Sequence, residues 1–253
     1  MKEEVITSRK NSVIRRFRLL GRDAAFRREQ GEFLCDGEKL FREAQQNGAE
    51  ITAILCRENG TAVSATDAAV YTAAEEVFDY ASPLENSPGP LFAVKIPSPE
   101  ESGMPDRVVV LENVQDPGNV GTVLRTAAAL GTELVILCGN CADPYHPKTV
   151  RATMGAVFRQ KVVSLTLPEL RERLQEWRLT LYGAALTDDA EDLRTVFLAR
   201  AAVAVGNEGK GLSGEMLSLC EKKIIIPMTA GSESLNAGVA ASILMWEMCR
   251  EAL

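Results

Sequence analysis

The stretch Ala201–Leu244, AAVAVGNEGKGLSGEMLSLCEKKIIIPMTAGSESLNAGVAASIL, decides the fold that we predict for this chain. Its apolar runs Ala201–Val205 and Lys223–Ile226 predict two buried strands, and each run ends in a loop rich in Gly, Ser and Asn. In open α/β sheets, ligands bind beyond the carboxyl ends of the strands. We therefore expect an α/β fold in which the two loops, 206–211 and 227–236, line one ligand-binding site.

The first loop, Gly206-Asn207-Glu208-Gly209-Lys210-Gly211, does not match the common nucleotide-binding patterns. It reads G-x-x-G-x-G, whereas the dinucleotide fingerprint reads G-x-G-x-x-G and the phosphate loop has four residues between its first two glycines. Glycine-rich connections are also ordinary turns. The two loops by themselves therefore leave open a plain turn or a nucleotide-dependent α/β enzyme.

Another motif, NVQDPGNVGTVLRTAAALG, spans Asn113–Gly131 upstream of both loops and is the first of three motifs in chain order. It matches N-x-x-D-P-x-N-x-G-x-x-x-R-T-A. Followed in order by GNEGKGLS and IPM…SLN, it resembles the three-motif signature of the SpoU family of RNA ribose 2′-O-methyltransferases, and the resemblance covers nearly the whole chain. It implies a C-terminal α/β domain with a deep trefoil knot and a small N-terminal α/β domain, similar to ribosomal protein L30e, that binds RNA.

The resemblance also implies roles for individual residues, with S-adenosylmethionine as the methyl donor and no metal. The implied cofactor-binding residues lie in the second and third motifs and are Gly206, Asn207, Gly209, Ile226, Met228 and Leu235. The implied catalytic residues are Arg125, Asn113, Glu208, Ser234 and Asn236. The family's motif arginine, matched by Arg125, is proposed to act as a base. A guanidinium holds its proton strongly, so orienting the phosphate and the hydroxyl is the alternative role.

The positive charge of the chain is concentrated at its N-terminal end. Residues 1–31 contain nine Lys and Arg against four Asp and Glu, although the whole chain carries a formal charge of −7. A basic arm on an acidic body is typical of a protein that contacts phosphates with one end. The residues that we expect to contact RNA are Arg9, Lys10, Arg15, Arg16, Arg18, Arg22 and, from a second basic segment, Arg151. A solvated basic helix without a partner is the alternative.

The clearest linker is Pro97–Pro105, in which three prolines and a glycine break any periodic element. We therefore assign residues 1–98 to an RNA substrate-binding domain, 99–105 to the linker and 106–253 to the methyltransferase domain. Strand and helix patterns alternate on both sides of the linker, which predicts two α/β domains.

Two helices and one further strand complete the predicted C-terminal domain. We expect Asn119 to cap the helix Val120–Leu130 and Gly131 to end it. The helix Ala237–Leu253 is apolar for its first ten residues, so we expect it to be buried in the monomer or in a homodimer interface. The strand Leu179–Leu186 is expected to end at the same pocket as the two glycine-rich loops.

The composition, 46% hydrophobic and 25% charged, is that of a soluble globular protein. No apolar run approaches the roughly 20 residues of a membrane helix, and the N-terminus has no apolar core like that of a secretory signal. We therefore expect a cytoplasmic protein with reduced cysteines. A zinc site usually needs four protein ligands, or three and a water. Cys138-Gly-Asn-Cys141 has no second such pair, and His146 is the single histidine, so a structural role is expected.

Together these observations predict an enzyme that transfers a methyl group from S-adenosylmethionine to a ribose 2′-hydroxyl of structured RNA, with ribosomal RNA favoured. The same chemistry on transfer RNA is one alternative. A non-catalytic RNA-binding or assembly factor is another, and the intact Arg125, Asn113 and Asn236 count against it.

Overall fold

The computed structural model describes residues 5–60, 63, 67–98, 103–229 and 234–250. The predicted linker residues 99–102 and loop residues 230–233 lie outside the described residues. The chain divides into a first unit, residues 1–98 with Asp143–Phe158, and a second unit, residues 99–142 with 159–253. This division differs from the sequence-based one in the segment 143–158, which we had placed in the methyltransferase domain.

The helices and strands of both units are numbered together along the chain. In the described residues they are α1 (Ser12–Arg22), α2 (Ala24–Gln30), β1 (Glu32–Asp36), α3 (Glu38–Gln46), β2 (Ile51–Arg57), β3 (Ala69–Ala73), α4 (Glu75–Ala81), β4 (Leu91–Lys95), β5 (Arg107–Glu112), α5 (Pro117–Leu130), β6 (Leu134–Cys138), α6 (Pro147–Thr153), β7 (Val162–Leu165), α7 (Leu167–Trp177), β8 (Leu181–Ala184), β9 (Glu191–Asp192), β10 (Ala201–Val205), α8 (Gly214–Leu219), β11 (Lys222–Ile225) and α9 (Ala237–Cys249). In this described part of the chain, every helix is too short or too polar to cross a membrane.

The first unit is built on a four-stranded sheet in the order β1-β4-β2-β3. β4 pairs antiparallel with β1 and β2, whereas β2 and β3 are parallel. The helix α1 buries Ile14, Phe17 and Leu20, because residues three apart return to the same side of a helix. Its arginines are thereby left on the other sides, as the sequence predicts.

The segment 143–158 belongs to the first unit because it contributes core and polar contacts there. The Tyr145 ring lies 5.0 Å from that of Phe33, and Val150 and Val157 are buried in the same core cluster. The buried Arg27 donates two hydrogen bonds to Asp143 Oδ2, at 3.0 and 2.5 Å. The sequence pattern had indicated only basic turns here, and α6 was not predicted.

The second unit contains a seven-stranded sheet in the order β7-β6-β5-β10-β8-β11-β9, and its strand pairs are parallel. α5 and α9 bury one face of the sheet, and α7 and α8 bury the other. Parallel strands covered on both faces read as continuous apolar runs, which explains why they could be predicted. β10 has the predicted bounds, β11 begins and ends one residue earlier than predicted, and β8 is shorter than the predicted strand.

The start of α5 differs from the prediction. Asp116 is the N-cap, and its Oδ1 accepts a hydrogen bond from the Asn119 backbone at 2.8 Å. Pro117 occupies the first helical position, where its missing N–H costs nothing and its fixed φ suits the helix. The prediction of Asn119 as the cap is therefore wrong, and its side chain is available for other contacts. Gly131, with φ 72°, ends the helix as predicted.

Candidate functional site

A cavity of about 490 Å³ lies at the carboxyl ends of the second-unit strands. Residues 184–187 follow β8, 205–212 follow β10 and 224–228 end β11, and all three segments line it together with 234–240. β8 stands between β10 and β11 in the sheet, so the described residues of the two loops lie on either side of its end. Both loops and the end of β8 thus line one cavity, whose volume is typical of small-molecule sites.

Every residue predicted to bind the cofactor lies in the wall of this cavity. They are Gly206, Asn207, Gly209, Ile226, Met228 and Leu235, and the predicted catalytic residues Glu208 and Ser234 lie there too. Much of the remaining wall is apolar, with Leu212, Leu217 and Ile224 among its residues. Thr187, at the end of β8, adds a polar hydroxyl to the wall.

Gly206 allows the first loop to close on itself. Asn207 N donates to Gly211 O at 3.0 Å, and Gly211 N donates to Asn207 O at 2.9 Å. A Cβ atom at Gly206 would lie 2.2 Å from Gly211 C and 2.3 Å from Leu212 N, which are backbone atoms that cannot rotate away. Only glycine therefore fits at this position in the closed loop.

The Glu208 carboxylate joins the first loop to the start of α5. Oε1 accepts from Asn119 Nδ2 at 2.9 Å and from Asp116 N at 3.3 Å, and Oε2 accepts from Gln115 N at 3.4 Å. Partial burial raises the pKa of Glu208, but the hydrogen bonds from Asn119 and the backbone amides outweigh it and lower the pKa below 4.5. Glu208 is therefore held as a carboxylate and is a weak base.

Asn119 extends this contact to the third motif. Its Oδ1 accepts from Asn236 Nδ2 at 2.9 Å, and Asn236 Oδ1 in turn accepts from Val239 N at 3.2 Å as the cap of α9. One hydrogen-bonded series thus joins Glu208, Asn119 and Asn236, one residue from each motif. Asn119 lies inside the first motif, but from the sequence it was predicted only to cap a helix.

Asn113 links three strand ends of the same sheet. It follows β5 with φ 55°, an uncommon left-handed conformation for a residue other than glycine. Its Oδ1 accepts from Asn140 N, after β6, at 2.8 Å, and its carbonyl accepts from Asn207 Nδ2, after β10, at 2.9 Å. The structure therefore places Asn113 beneath the first loop rather than in the cavity wall.

A buried carboxylate fixes the far end of the first loop. Glu112, which is 3% exposed, accepts from Ser213 N at 2.7 Å and from Ser213 Oγ at 2.6 Å. Ser213 also caps α8 through its contact with Met216 N. Neither residue was singled out from the sequence, because a glutamate that ends a strand carries no signal of its partner 101 residues later.

Arg125 stands apart from these contacts. It is exposed on α5, and among the described residues it makes no hydrogen bond or ion pair. It does not pair with the carboxylates of Glu112 and Asp116, which instead accept from Ser213 and from the Asn119 backbone. Its charge is thus unneutralised by any described residue.

The residues predicted to contact RNA all lie in the first unit, and their surroundings differ. Arg16 pairs with Glu32 at 2.5 Å and also donates to Thr52. Arg18 lies over the Tyr80 ring and donates to Tyr80 O at 2.7 Å. The other predicted residues are exposed, namely Arg9, Lys10, Arg15, Arg22 and Arg151.

Cys138 and Cys141 lie among backbone carbonyls and buried residues. Cys141 Sγ lies 3.3 Å from Leu111 O and from Cys138 O, and burial raises the pKa of the Cys138 thiol to about 12. His146 Nδ1 accepts from Lys148 N and caps α6. Within the described ranges, His, Cys, Asp and Glu do not gather in any group of three or more that could hold a metal ion.

Comparisons with known proteins agree with this geometry. Residues 106–246 match the model of the SpoU rRNA Methylase family. The 23S rRNA (guanosine(2553)-2′-O)-methyltransferase RlmP of Bacillus subtilis is 31% identical over 224 residues, which cover 88% of this chain and 90% of that protein. The 23S rRNA (uridine(2479)-2′-O)-methyltransferase of Streptomyces viridochromogenes is 28% identical and covers 97% of this chain and 92% of its own length. The AdoMet-bound rRNA methyltransferase from Sinorhizobium meliloti is 26% identical, with a TM-score of 0.84 and 100% of each chain covered.

Proposed function

The chain belongs to the SpoU rRNA methylase family, and we propose that it transfers a methyl group from S-adenosylmethionine to a ribose 2′-hydroxyl of ribosomal RNA. The observation that carries this proposal is that the second and third motifs line one cavity, while the first motif is joined to both of them by the hydrogen bonds of Asn119 with Glu208 and Asn236. RlmP methylates a guanosine and its Streptomyces relative a uridine. The proposal therefore names the reaction and the class of RNA but not the nucleotide.

The cavity is suited to S-adenosylmethionine, which supplies an activated methyl group on a sulfonium that leaves readily. Apolar side chains such as Leu212, Ile226 and Leu235 provide a surface for the adenine ring. The Thr187 hydroxyl offers a polar contact to the ligand at the end of β8. Gly206, Asn207, Gly209 and Met228 complete the proposed cofactor site.

We assign Arg125 the role of orienting the RNA phosphate and the reacting ribose. An exposed guanidinium with no partner in the described chain can bind a phosphate with two parallel hydrogen bonds. We assign Ser234 and Asn236 to the substrate hydroxyl, as the family motif implies, and Glu208 and Asn113 to holding the loops. Such positioning can contribute several kcal/mol to lowering the barrier.

The direct test is methyl transfer by the purified full chain to unmodified 23S rRNA and transfer-RNA transcripts, with radiolabelled S-adenosylmethionine. Arg125→Ala should lower the rate by about 100-fold or more, as expected for loss of a group that acts on the reacting centre. Its calorimetric affinity for the cofactor should stay within about twofold of wild type, because Arg125 lies outside the cavity wall.

A near-normal rate in Arg125→Ala would make this arginine only structural. Methylation of transfer RNA alone would change the substrate and keep the chemistry. RNA binding with no transfer to any transcript would instead support the non-catalytic assembly factor.

We also propose a homodimer formed through α9. Val239 and Trp246, seven residues apart on one side of this helix, are 46% and 52% exposed, although the opposite side is buried against α5. A second copy of the chain would cover this apolar side. Light scattering should give a dimer mass for wild type and a monomer mass for Trp246→Glu, and a wild-type monomer at micromolar concentration would contradict the proposal.

Three further assignments rest on the family. We propose that the second unit carries the trefoil knot and that the first unit has an L30e-like fold that binds RNA. The four-stranded sheet and basic α1 support an RNA-binding unit. We also propose that the protein acts in the cytoplasm.

A further inference from the structure

The arginines of α1 and its flanks fall into two classes that the sequence does not separate. Arg16 pairs with Glu32, which is largely buried, and Arg27 pairs with Asp143, in both cases at 2.5 Å. These two charges are neutralised within the first unit. The remaining cations of residues 5–30 form no ion pair with any described residue, and they are Arg9, Lys10, Arg15, Arg18, Arg22 and Arg28.

Tyr80 of α4 brings two of these unpaired cations together. The guanidinium carbon of Arg18 lies 3.8 Å from the centre of the Tyr80 ring, and that of Arg9 lies 5.1 Å from it. Both distances are within the range of attraction between a cation and an aromatic face. Arg18 is also fixed by its hydrogen bond to Tyr80 O at 2.7 Å. Both unpaired guanidinium groups therefore contact the same aromatic ring.

Two guanidinium groups on one ring, neither of them in an ion pair with a described residue, favour an anion beside them. The guanidinium group presents a planar fork of donors that matches a phosphate, and a phosphate bound between two such groups offsets their mutual repulsion. Arg15 and Arg22 lie one turn before and one turn after Arg18 on α1, so the positive surface continues along the helix.

We propose that Arg9, Arg18 and Tyr80 form a binding site for a backbone phosphate of the RNA substrate, with Tyr80 as the residue that positions both arginines. This inference rests on the proposed function, because it assigns the RNA to this side of α1. The proposed site includes Tyr80, which lies outside the basic arm, and it does not include Arg16, which belongs to that arm.

The test measures binding of the full chain to an unmodified 23S rRNA transcript at several salt concentrations. Arg9→Gln and Arg18→Gln should each weaken binding by about 3-fold to 10-fold and reduce the slope of log K against log salt by about 0.7 to 0.9, the change for one phosphate contact. Arg16→Gln is the matched control, since it removes the same charge two residues away. It should leave the slope unchanged.

Tyr80 variants separate positioning from charge. Tyr80→Leu keeps every cation but removes the ring, and it should weaken RNA binding by about 2-fold to 5-fold, the size of an exposed cation–aromatic contact. Tyr80→Phe keeps the ring face and should bind RNA as wild type does. Arg9 makes no hydrogen bond among the described residues, so Arg9→Gln tests the site even if Arg18→Gln or Tyr80→Leu loses stability.

Equal slopes for wild type, Arg9→Gln and Arg18→Gln would overturn the phosphate site. An equal loss of slope in Arg16→Gln would also overturn it, because binding would then follow net charge alone. Tyr80→Phe binding as weakly as Tyr80→Leu would overturn the role of the ring. Failure of the proposed function looks different: the wild-type chain binds the transcript with a steep salt dependence but transfers no methyl group.

Discussion

The loops around the cavity and the outer side of α1 are both polar, but they are built in opposite ways. Around the cavity, Glu208, Asn119 and Asn236 are joined by hydrogen bonds, and their partners come from distant parts of the chain. On α1, Arg15 and Arg22 are exposed and lack any ion pair among the described residues.

This difference indicates two kinds of recognition. Loops whose side chains already bind one another are organised before the ligand arrives, so little ordering cost remains for binding. Unpaired surface cations gain their partners only when a polyanion binds, and the gain depends on salt. We therefore expect mutations at the cavity to act through loop geometry and those on α1 through charge.

Gly206→Ala should produce the largest effect, and it should act on the cavity alone. A Cβ atom there would lie 2.2 Å from Gly211 C, so the loop must open and its hydrogen bonds to Gly211 must break. We expect cofactor affinity to fall by about 100-fold or more by calorimetry, the equivalent of about 3 kcal/mol. The salt slope of RNA binding should not change.

Gly214→Ala is the matched control, at the start of α8 shortly after the same loop. Its Cβ would meet no heavy atom within 4 Å, and Gly214 does not line the cavity, so cofactor affinity should stay within a few-fold of wild type. Equal losses in the two variants would mean that the close approach at Gly206 is not special.

The part of the fold that the sequence could predict is the part encoded locally. The strand Ala201–Val205 is a continuous apolar run, and the loop that follows it carries its glycines where the chain closes. The role of Asn119 could not be predicted in this way. An asparagine near the start of a helix suits a helix cap as well as it suits a contact with a distant loop. The contact that decides it comes from Asn236, 117 residues later.

The grouping of 143–158 with the first unit has the same cause. Asp143 and Tyr145 occur in a stretch rich in turn formers, which gives no helical or strand periodicity. Their partners, Arg27 and Phe33, precede them by more than 100 residues. Local sequence patterns cannot indicate contacts between residues so far apart in the chain. The three family motifs can, because their occurrence in a fixed order indicates that they meet in the fold.

A smaller effect is expected from acid, and it should again be confined to the cavity loops. Hydrogen bonds lower the pKa of Glu208 below 4.5, so they stabilise the folded chain above that pH, and the contribution is lost as the pH falls through the lowered pKa. The free energy of unfolding, measured with urea, should therefore be higher for wild type than for Glu208→Gln at pH 6. The two values should converge toward pH 3. Glu215→Gln, which changes an exposed residue of α8, should show the same pH dependence of stability as wild type. A difference between wild type and Glu208→Gln that stays constant with pH would mean that protonation of Glu208 is not involved.

The smallest effect should come from Glu76, and it should strengthen binding. Glu76 lies one turn before Tyr80 on α4, is exposed and makes no ion pair with a described residue. Its charge therefore lies on the same side of α4 as Tyr80. The Glu76→Gln variant should bind the 23S transcript about 2-fold more tightly at low salt, and the gain should disappear as salt screens the repulsion between Glu76 and the RNA. Glu172→Gln, on α7 of the second unit, changes the net charge equally and should leave affinity unchanged. Equal gains in the two variants would show that RNA responds to the overall charge of the protein, and the contrast between a built phosphate site and a diffuse basic surface would then be lost.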